Sequence, residues 1–285
     1  MSAEFELCPG RAVGGDQPCF IIAEIGQNHQ GSMDIAKQMI RMAKMAVEFL
    51  HELNVPFFKV GSLDTNNFPY LEKAAKKGRP MVISSGMQSM ETMRKVYNTV
   101  KPINNKFCFL QCTSAYPLEP EDTHLHVITE YKKEFPDVPI GYSGHETGIA
   151  ISIAAVAMGA KVLERHVTMD KTWKGNDHQA SLEPSELQEL VRSIRIVEKA
   201  FGSPIKRLLP CEMACHNKLG KSVVAKVTIP AGTKLTLDMM TVKVAEPKGI
   251  EPDDIYKLVG KQVNTQINID ETIICDMIAN YSKKC

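Results

Sequence analysis

The sequence lacks both a long apolar segment and an excess of charge of either sign. No uninterrupted apolar run reaches the roughly 20 residues of a transmembrane helix, and residues 1–11 contain Glu4 and Glu6 without the apolar core of a signal peptide. The chain has 34 Lys and Arg against 33 Asp and Glu, and no basic run is interleaved with aromatic residues. We therefore expect a soluble, cytoplasmic protein whose partners are neither membranes nor nucleic acid.

Disulfide and zinc patterns are also missing. Eight cysteines in 285 residues, without a secretory signal, predict reduced thiols rather than a disulfide framework. Cys211, Cys215 and His216 are potential zinc ligands, but no second ligand pair follows at zinc-finger spacing. The sequence therefore does not favour a zinc site there.

Short apolar runs alternate with helical patterns through the first 200 residues. Each run ends in polar residues or glycine, which predicts a parallel α/β sheet. The predicted strands are residues 18–25, 57–60, 81–84, 107–111, 139–142 and 161–164, and the predicted helices are residues 33–53, 70–77, 89–100, 123–134, 148–160 and 184–201.

Two architectures accept this alternation. A doubly wound sheet usually carries Gly-x-Gly-x-x-Gly after its first strand, and that pattern is absent. Polar residues after every strand fit a (β/α)8 TIM-type barrel better, but such a barrel has eight strands, two more than the sequence predicts. The helix at residues 33–53 is about twice as long as a barrel helix needs. Its apolar positions broaden near residues 42–47, as if two amphipathic faces had been joined out of phase.

The pattern changes after residue 202. Short β-rich runs occupy residues 222–227, 234–237 and 240–244, residues 250–259 suit a short helix, and strand composition returns at residues 261–275. We interpret residues 1–202 as an incomplete barrel domain, residues 203–218 as a linker and residues 219–285 as a small β-rich domain.

Two histidines mark the candidate site. His145 and His166 each follow a predicted strand, with one helix of small apolar residues between them. Neighbouring parallel strands open their carboxyl ends at the same edge, where two imidazoles can hold one divalent metal. A histidine at a strand end is more often a hydrogen-bonded structural residue. Asp177 and His178 add polar groups to the same rim, and Glu24 is a carboxylate within a buried strand, where it needs a partner or a chemical role.

Several segments, in order along nearly the whole chain, resemble the sialic acid synthase family. They are residues 20–29, 58–62, 83–87, 111–117, 141–147, 164–166 and 177–178, and the C-terminal domain is similar to the antifreeze-like (SAF) module of these enzymes. The resemblance implies condensation of phosphoenolpyruvate with the open-chain aldehyde of N-acetylmannosamine or its 6-phosphate, with release of phosphate. It also implies a divalent metal, Mn²⁺ or Mg²⁺, and a homodimer in which the SAF module covers the partner's site.

The resemblance assigns three groups of site residues. The metal ligands are His145 and His166. The residues that would bind phosphoenolpyruvate are Lys59, Ser62, Ser84, Ser114 and Ser143. Sugar binding or proton transfer falls to Glu24, Tyr116 and Asp177.

Relative to that family, an internal segment is missing near Lys44 and Met45. The family has a strand-helix-strand stretch there, with a phosphoenolpyruvate-binding lysine, a sugar-binding glutamine and a threonine. Its loss would remove the second and third barrel strands, which matches both the two-strand shortfall and the long helix. An arginine that some bacterial members place in the terminal module is not evident near residues 246–249.

Three functional hypotheses follow. The first is a synthase that forms N-acetylneuraminate 9-phosphate from N-acetylmannosamine 6-phosphate. The second is a catalytically impaired or inactive isoform that acts at most as a dimerisation or interaction protein. The third is a metal-dependent aldolase of another family on the same barrel, whose activity would be independent of phosphoenolpyruvate.

Overall fold

A computed structural model describes residues 3–46 and 56–281, without the side chains of residues 40–46. The chain divides into two compact units, Met1–Gly202 and Ser203–Cys285. In the described ranges no helix combines the length and the apolar character needed to cross a membrane.

In its described residues the first unit contains eight strands and seven α-helices. The strands are β1 (Glu4–Cys8), β2 (Arg11–Gly14), β3 (Phe20–Glu24), β4 (Phe58–Val60), β5 (Met81–Ser84), β6 (Phe107–Cys112), β7 (Ile140–Gly144) and β8 (Val162–His166). The helices are α1 (Met33–Ala46), α2 (Phe68–Ala75), α3 (Met90–Val100), α4 (His126–Glu134), α5 (Ala150–Ala157), α6 (Asn176–Ala180) and α7 (Pro184–Ala200).

Six of these strands form one parallel sheet in the order β3-β8-β7-β6-β5-β4. Strands β4 to β8 follow chain order, and β3 lies beside β8, as the first strand of a closed barrel lies beside the last. A doubly wound sheet instead reverses its order at a switch point. The expected barrel lacking about two β/α units is therefore confirmed, and the gap lies between β3 and β4.

The long helix predicted at residues 33–53 is described only in part. Helix α1 extends from Met33 to Ala46, and its start is capped by Ser32, whose Oγ accepts a hydrogen bond from the Ile35 amide at 3.3 Å. The remainder of the prediction lies outside the described residues.

The N-terminal end of the sheet is closed by a hairpin that the sequence patterns did not predict. Strands β1 and β2 pair antiparallel, and their Leu7 and Val13 are fully buried against inward-facing residues of the sheet such as Val82 and Val162. This apolar plug occupies the end of the sheet opposite the strands' carboxyl ends. Polar inward-facing side chains are thereby left only at the carboxyl ends of the strands. We call the opening of the curled sheet at that end the mouth.

The second unit has its own small core. It contains helices α8 (Met213–Leu219) and α9 (Ile255–Leu258) and one antiparallel pair, β9 (Lys221–Ala225) and β10 (Met240–Val244). The strand-like composition of residues 261–275 corresponds to single-residue bridges rather than to a continuous strand, Ile267 to Ile229 and Thr272 to Val224 among them. Helix α8 begins inside the predicted linker and ends one residue beyond it.

In the described part of the chain six cysteines are free: Cys8, Cys19, Cys108, Cys112, Cys211 and Cys215. Cys275 departs from the expectation of reduced thiols, because it is disulfide-bonded. Burial raises the pKa of Cys19 to about 12, so its thiol stays protonated and unreactive at neutral pH.

Candidate functional site

The carboxyl ends of the six parallel strands bring the predicted site residues to one mouth. Strand register sets the arrangement. Glu24 of β3 is the partner of His166 in β8, and Ser143 of β7 is the partner of Glu164 in β8 and of Cys112 in β6. Since register partners in a parallel sheet face the same side, these side chains all point into the curled sheet.

One side of the mouth is built around Lys59. Its Nζ donates to Ser84 Oγ at 2.9 Å and to the Val60 carbonyl at 3.2 Å, and lies 3.4 Å from Glu164 Oε2. Glu164 is fully enclosed, and burial raises the pKa of its carboxyl while the Lys59 ammonium opposes that rise. Glu164 was not among the predicted site residues, although a carboxylate within an apolar strand is the signal that pointed to Glu24.

Hydroxyls and a thiol surround Gly86 next to this lysine. Ser62 Oγ accepts from the Gly86 amide at 3.0 Å and lies 3.6 Å from Cys112 Sγ, which is 4.0 Å from Ser114 Oγ. A Cβ at Gly86 would lie 2.1 Å from Ser114 Oγ and 2.6 Å from Ser62 Oγ. Only glycine leaves these two hydroxyls room, and the Gly86 amide holds the Ser62 hydroxyl in place.

The two histidines form the other side of the mouth. The ring centroids of His145 and His166 are 5.4 Å apart, and the Tyr116 ring lies 4.1 Å from His145 and 5.9 Å from His166. His145 is just past β7, as predicted, whereas His166 is the last residue of β8. Both imidazoles are buried, while Tyr116 is 40% exposed and lies at the rim.

These histidines fit one divalent cation. His145 Nδ1 lies 3.0 Å from the Thr113 carbonyl, and a hydrogen bond there leaves Nε2 with its lone pair free. His166 Nδ1 is buried and has no hydrogen-bond partner among the described residues, and burial lowers the pKa of His166, which favours the neutral, ligating form. Within the described ranges no group of three or more His, Cys, Asp or Glu could hold a metal, so these two imidazoles would be the protein's contribution.

Two carboxylates complete this side. Glu24 Oε2 lies 3.9 Å from His166 Nε2. Gly26 follows in the next loop with φ +52°, and a Cβ there would lie 3.0 Å from His166 Nδ1 and 3.3 Å from Asp177 Oδ2. All ten predicted site residues therefore lie at the same mouth.

His178 and the cysteine-rich segment have other surroundings. His178 Nδ1 is 2.7 Å from Thr168 Oγ1 and its Nε2 is 3.3 Å from Gln30 Nε2, so this histidine has a structural role beside the mouth. The alternative zinc site at Cys211, Cys215 and His216 does not form in the described part of the chain.

Comparisons with known proteins agree with this geometry. The SAF domain matches residues 220–279, and the NeuB family matches residues 32–206, more than half of the chain. The chain belongs to the NeuB family. The predicted family resemblance is thereby confirmed, together with the (β/α) barrel and SAF architecture.

Members of the NeuB family with curated names are closely similar. The N-acetylneuraminate-9-phosphate synthases of Homo sapiens and Mus musculus are each 60% identical to this chain over 356 positions, covering 100% of the chain and 99% of the relative. A crystal structure of the N-acetylneuraminic acid synthetase of Leptospira borgpetersenii, in complex with citrate, has a TM-score of 0.68 and 28% identity, covering 77% of this chain and 98% of that one.

The alignment also measures the missing segment. It spans 356 positions and this chain has 285 residues, which leaves 71 positions of the alignment without a residue here. A (β/α)8 barrel of about 250 residues has roughly 30 residues per β/α unit, so 71 positions correspond to about two units. This NeuB chain therefore lacks two units relative to its curated relatives.

A buried ion-pair network beneath the histidines was not predicted. Arg165 of β8 is fully buried, and its Nη1 donates to Glu146 Oε1 at 3.0 Å. Tyr142 Oη and Ser152 Oγ donate to the same carboxylate at 2.9 and 2.6 Å. The network joins the end of β8 to the loop that follows His145, so it holds the two NeuB histidines in register.

Proposed function

We propose that this chain is a sialic acid synthase. It joins C3 of phosphoenolpyruvate to the aldehyde carbon of open-chain N-acetylmannosamine 6-phosphate and, with one water, yields N-acetylneuraminate 9-phosphate and inorganic phosphate. Full-chain identity of 60% to the human and mouse synthases supports this reaction. The observation that carries the proposal is the convergence of an anion-binding cluster and a histidine pair at one mouth.

The lysine side of the mouth would bind phosphoenolpyruvate. Lys59 provides the positive charge, and Ser62, Ser84, Ser114 and Ser143 provide hydroxyl donors for phosphate and carboxylate oxygens. Charge-assisted hydrogen bonds of this kind are shorter and stronger than neutral ones. Lys59 and Ser84 are already hydrogen-bonded to each other at 2.9 Å, so the cation is positioned before the substrate arrives.

The histidine side would hold the aldehyde end of the sugar. His145 and His166 are the proposed ligands of Mn²⁺ or Mg²⁺, and a bound divalent cation would polarise the aldehyde oxygen as a Lewis acid. Burial raises the pKa of the Tyr116 hydroxyl, and Asp177 and Glu24 raise it further. Tyr116 therefore remains a hydrogen-bond donor at neutral pH.

Glu24 and Asp177 are the proposed sugar-binding and proton-handling groups. Their carboxylates flank His166 from β3 and from α6, where they can accept hydrogen bonds from sugar hydroxyls.

The family resemblance also implies a homodimer and a cytoplasmic location, and we include both in the proposal. Light scattering of the purified chain tests the homodimer, and fractionation of cells tests the location.

Release of inorganic phosphate tests the proposed reaction. With phosphoenolpyruvate, N-acetylmannosamine 6-phosphate and Mn²⁺, we expect weak release that requires both organic substrates. Loss of a metal-binding imidazole should lower that rate by at least about 100-fold, so the variant His145→Ala should be indistinguishable from buffer. Equal release by the two proteins, or release without phosphoenolpyruvate, would contradict the proposal.

Gly86→Ala is expected to weaken phosphoenolpyruvate binding about 5- to 150-fold, because overpacking a filled site typically costs about 1–3 kcal/mol. The new methyl group would overlap the hydroxyls of Ser114 and Ser62. Gly61→Ala is the matched control, since Gly61 has a φ of −68° and no atom of the described residues within 4 Å of its ideal Cβ. Calorimetric titration with phosphoenolpyruvate compares the two variants. Equal affinities would show that Gly86 does not line the site.

A further inference from the structure

A second concave site lies beside the mouth. It is a cavity of about 380 Å³, lined by two short segments, Gln27, Asn28 and Gln30 on one side and residues 174–178 on the other. Apart from Gly175, every lining residue has a polar side chain. This volume is within the usual range for small-molecule sites.

The walls of the cavity are fixed by hydrogen bonds. Gln30 Nε2 donates to the Lys174 carbonyl at 2.9 Å, which ties one wall to the other. Asn28 is buried, and its Nδ2 donates to the Val167 carbonyl at 2.9 Å and to Ser181 Oγ at 2.8 Å. The cavity is thus held open by contacts that exist without a ligand.

Asp177 connects this cavity to the mouth. Its side chain lines the cavity, and its Oδ2 lies 3.3 Å from the ideal Cβ position of Gly26, which is itself 3.0 Å from His166 Nδ1. Gln27, the next residue, lines the cavity as well. A ligand bound at the histidines can therefore extend past Asp177 into the cavity.

Among the residues that line the cavity, Lys174 supplies an ammonium group and Asp177 supplies a carboxylate. In the described part of the chain the Lys174 ammonium has no ion pair or hydrogen bond. Lys59, by contrast, is already engaged by Ser84 and Glu164. The free charge of Lys174 therefore remains available to an anion at the rim.

An open-chain sugar 6-phosphate has its aldehyde and its phosphate at opposite ends. When the aldehyde lies at the histidine pair, the phosphate must lie beside the mouth rather than within it. We infer that this cavity binds the distal phosphate of the sugar, with Lys174 as its cation and the amides of Gln27 and Asn176 as neutral donors. The inference rests on the proposed function, and it makes Lys174 the residue that distinguishes the phosphorylated sugar from the free one.

Calorimetric titration of the full chain, in the presence of Mn²⁺, tests this assignment with N-acetylmannosamine 6-phosphate and with N-acetylmannosamine. Lys174→Met should weaken binding of the phosphorylated sugar about 10- to 100-fold, as loss of a charged hydrogen bond does, and leave binding of the free sugar within twofold. Lys174→Arg should recover most of the loss. Lys133→Met, which removes an exposed lysine paired with Glu130 on α4, should change neither affinity.

Three results would overturn the assignment: wild-type affinity of Lys174→Met for the phosphorylated sugar, equal affinity of the wild-type chain for both sugars, and no binding of either sugar. The phosphate-release assay separates this inference from the proposed reaction. The expected loss in Lys174→Met together with no phosphate release would support the cavity as a phosphate site while contradicting the proposed reaction.

Discussion

Replacement of Arg165 by methionine is expected to lower the free energy of unfolding by about 3–5 kcal/mol, the usual effect of removing one partner of a buried ion pair. The guanidinium donates to Glu146 Oε1 at 3.0 Å, Gly148 O at 2.8 Å, Ser152 Oγ at 2.9 Å, Glu146 O at 2.6 Å and Ala180 O at 3.3 Å. Without it, the Glu146 carboxylate and three carbonyl oxygens lose a donor in a site with almost no access to water.

Urea denaturation followed by tryptophan fluorescence measures this loss. The chain's single tryptophan, Trp173, lies in the first unit with its ring 5.8 Å from that of His178, so the signal reports on the unit that contains Arg165. Arg192→Met is the matched control, because Arg192 and its partner Glu189 are exposed, and surface pairs contribute little. A loss no larger than that of this control would contradict the assigned role.

A double variant separates the buried charge from lost packing. Arg165→Met combined with Glu146→Gln leaves no unpaired charge in the interior, so it should be less destabilised than Arg165→Met alone.

The same variants also test how Arg165 affects metal binding at the histidine pair. Arg165 lies between Glu164 and His166 and bonds the loop after His145, so both Arg165 variants should bind Mn²⁺ more weakly than Arg192→Met does.

The barrel and the mouth could be predicted because both depend on local patterns. Apolar runs that end in polar residues show where strands stop, and parallel strands necessarily bring those ends together. Glu24 was recognised because a carboxylate in a strand predicted to be buried needs a partner, and His166 is its register partner in the sheet, where Glu24 itself is only partly buried. Resemblance to the family then supplied roles that spacing alone leaves open.

Other features depend on contacts that no local pattern reports. Arg165 and Glu146 are 19 residues apart, and a buried arginine looks like any other arginine in sequence. His178 was grouped with the rim, but its partners Thr168 and Gln30 come from two other segments. The hairpin β1–β2 was missed because its evidence lies in burial against the sheet: alternation over five and four residues is a weak signal.

The open sheet gives the missing segment a structural consequence. In the described ranges β3 pairs only with β8, and β4 pairs only with β5. The two edges approach each other at their N-terminal ends, where the rings of Phe20 and Phe57 meet edge to face at 6.3 Å. A complete barrel has no free edge. Two further strands between β3 and β4 would pair with both of these edges and close the sheet into a barrel.

Insertion of the human relative's unmatched segment after Lys44 is expected to raise the rate of phosphate release by at least about 100-fold. Two strands would pair with β3 and β4 and close the barrel. By family resemblance the segment also restores a phosphoenolpyruvate-binding lysine, and one charged hydrogen bond contributes about 1.5–3 kcal/mol, or roughly 10- to 150-fold.

The matched control for this chimera inserts a glycine- and serine-rich linker of the same length, which adds chain without strands. The linker protein should retain the weak rate of the parent chain. If the chimera and the linker protein release phosphate at the same rate, the open edge and the absent lysine do not limit this enzyme. A parent chain that already releases phosphate as fast as the human synthase would refute the prediction directly. The six strands of the parallel sheet, and the mouth built on them, would then suffice for full turnover.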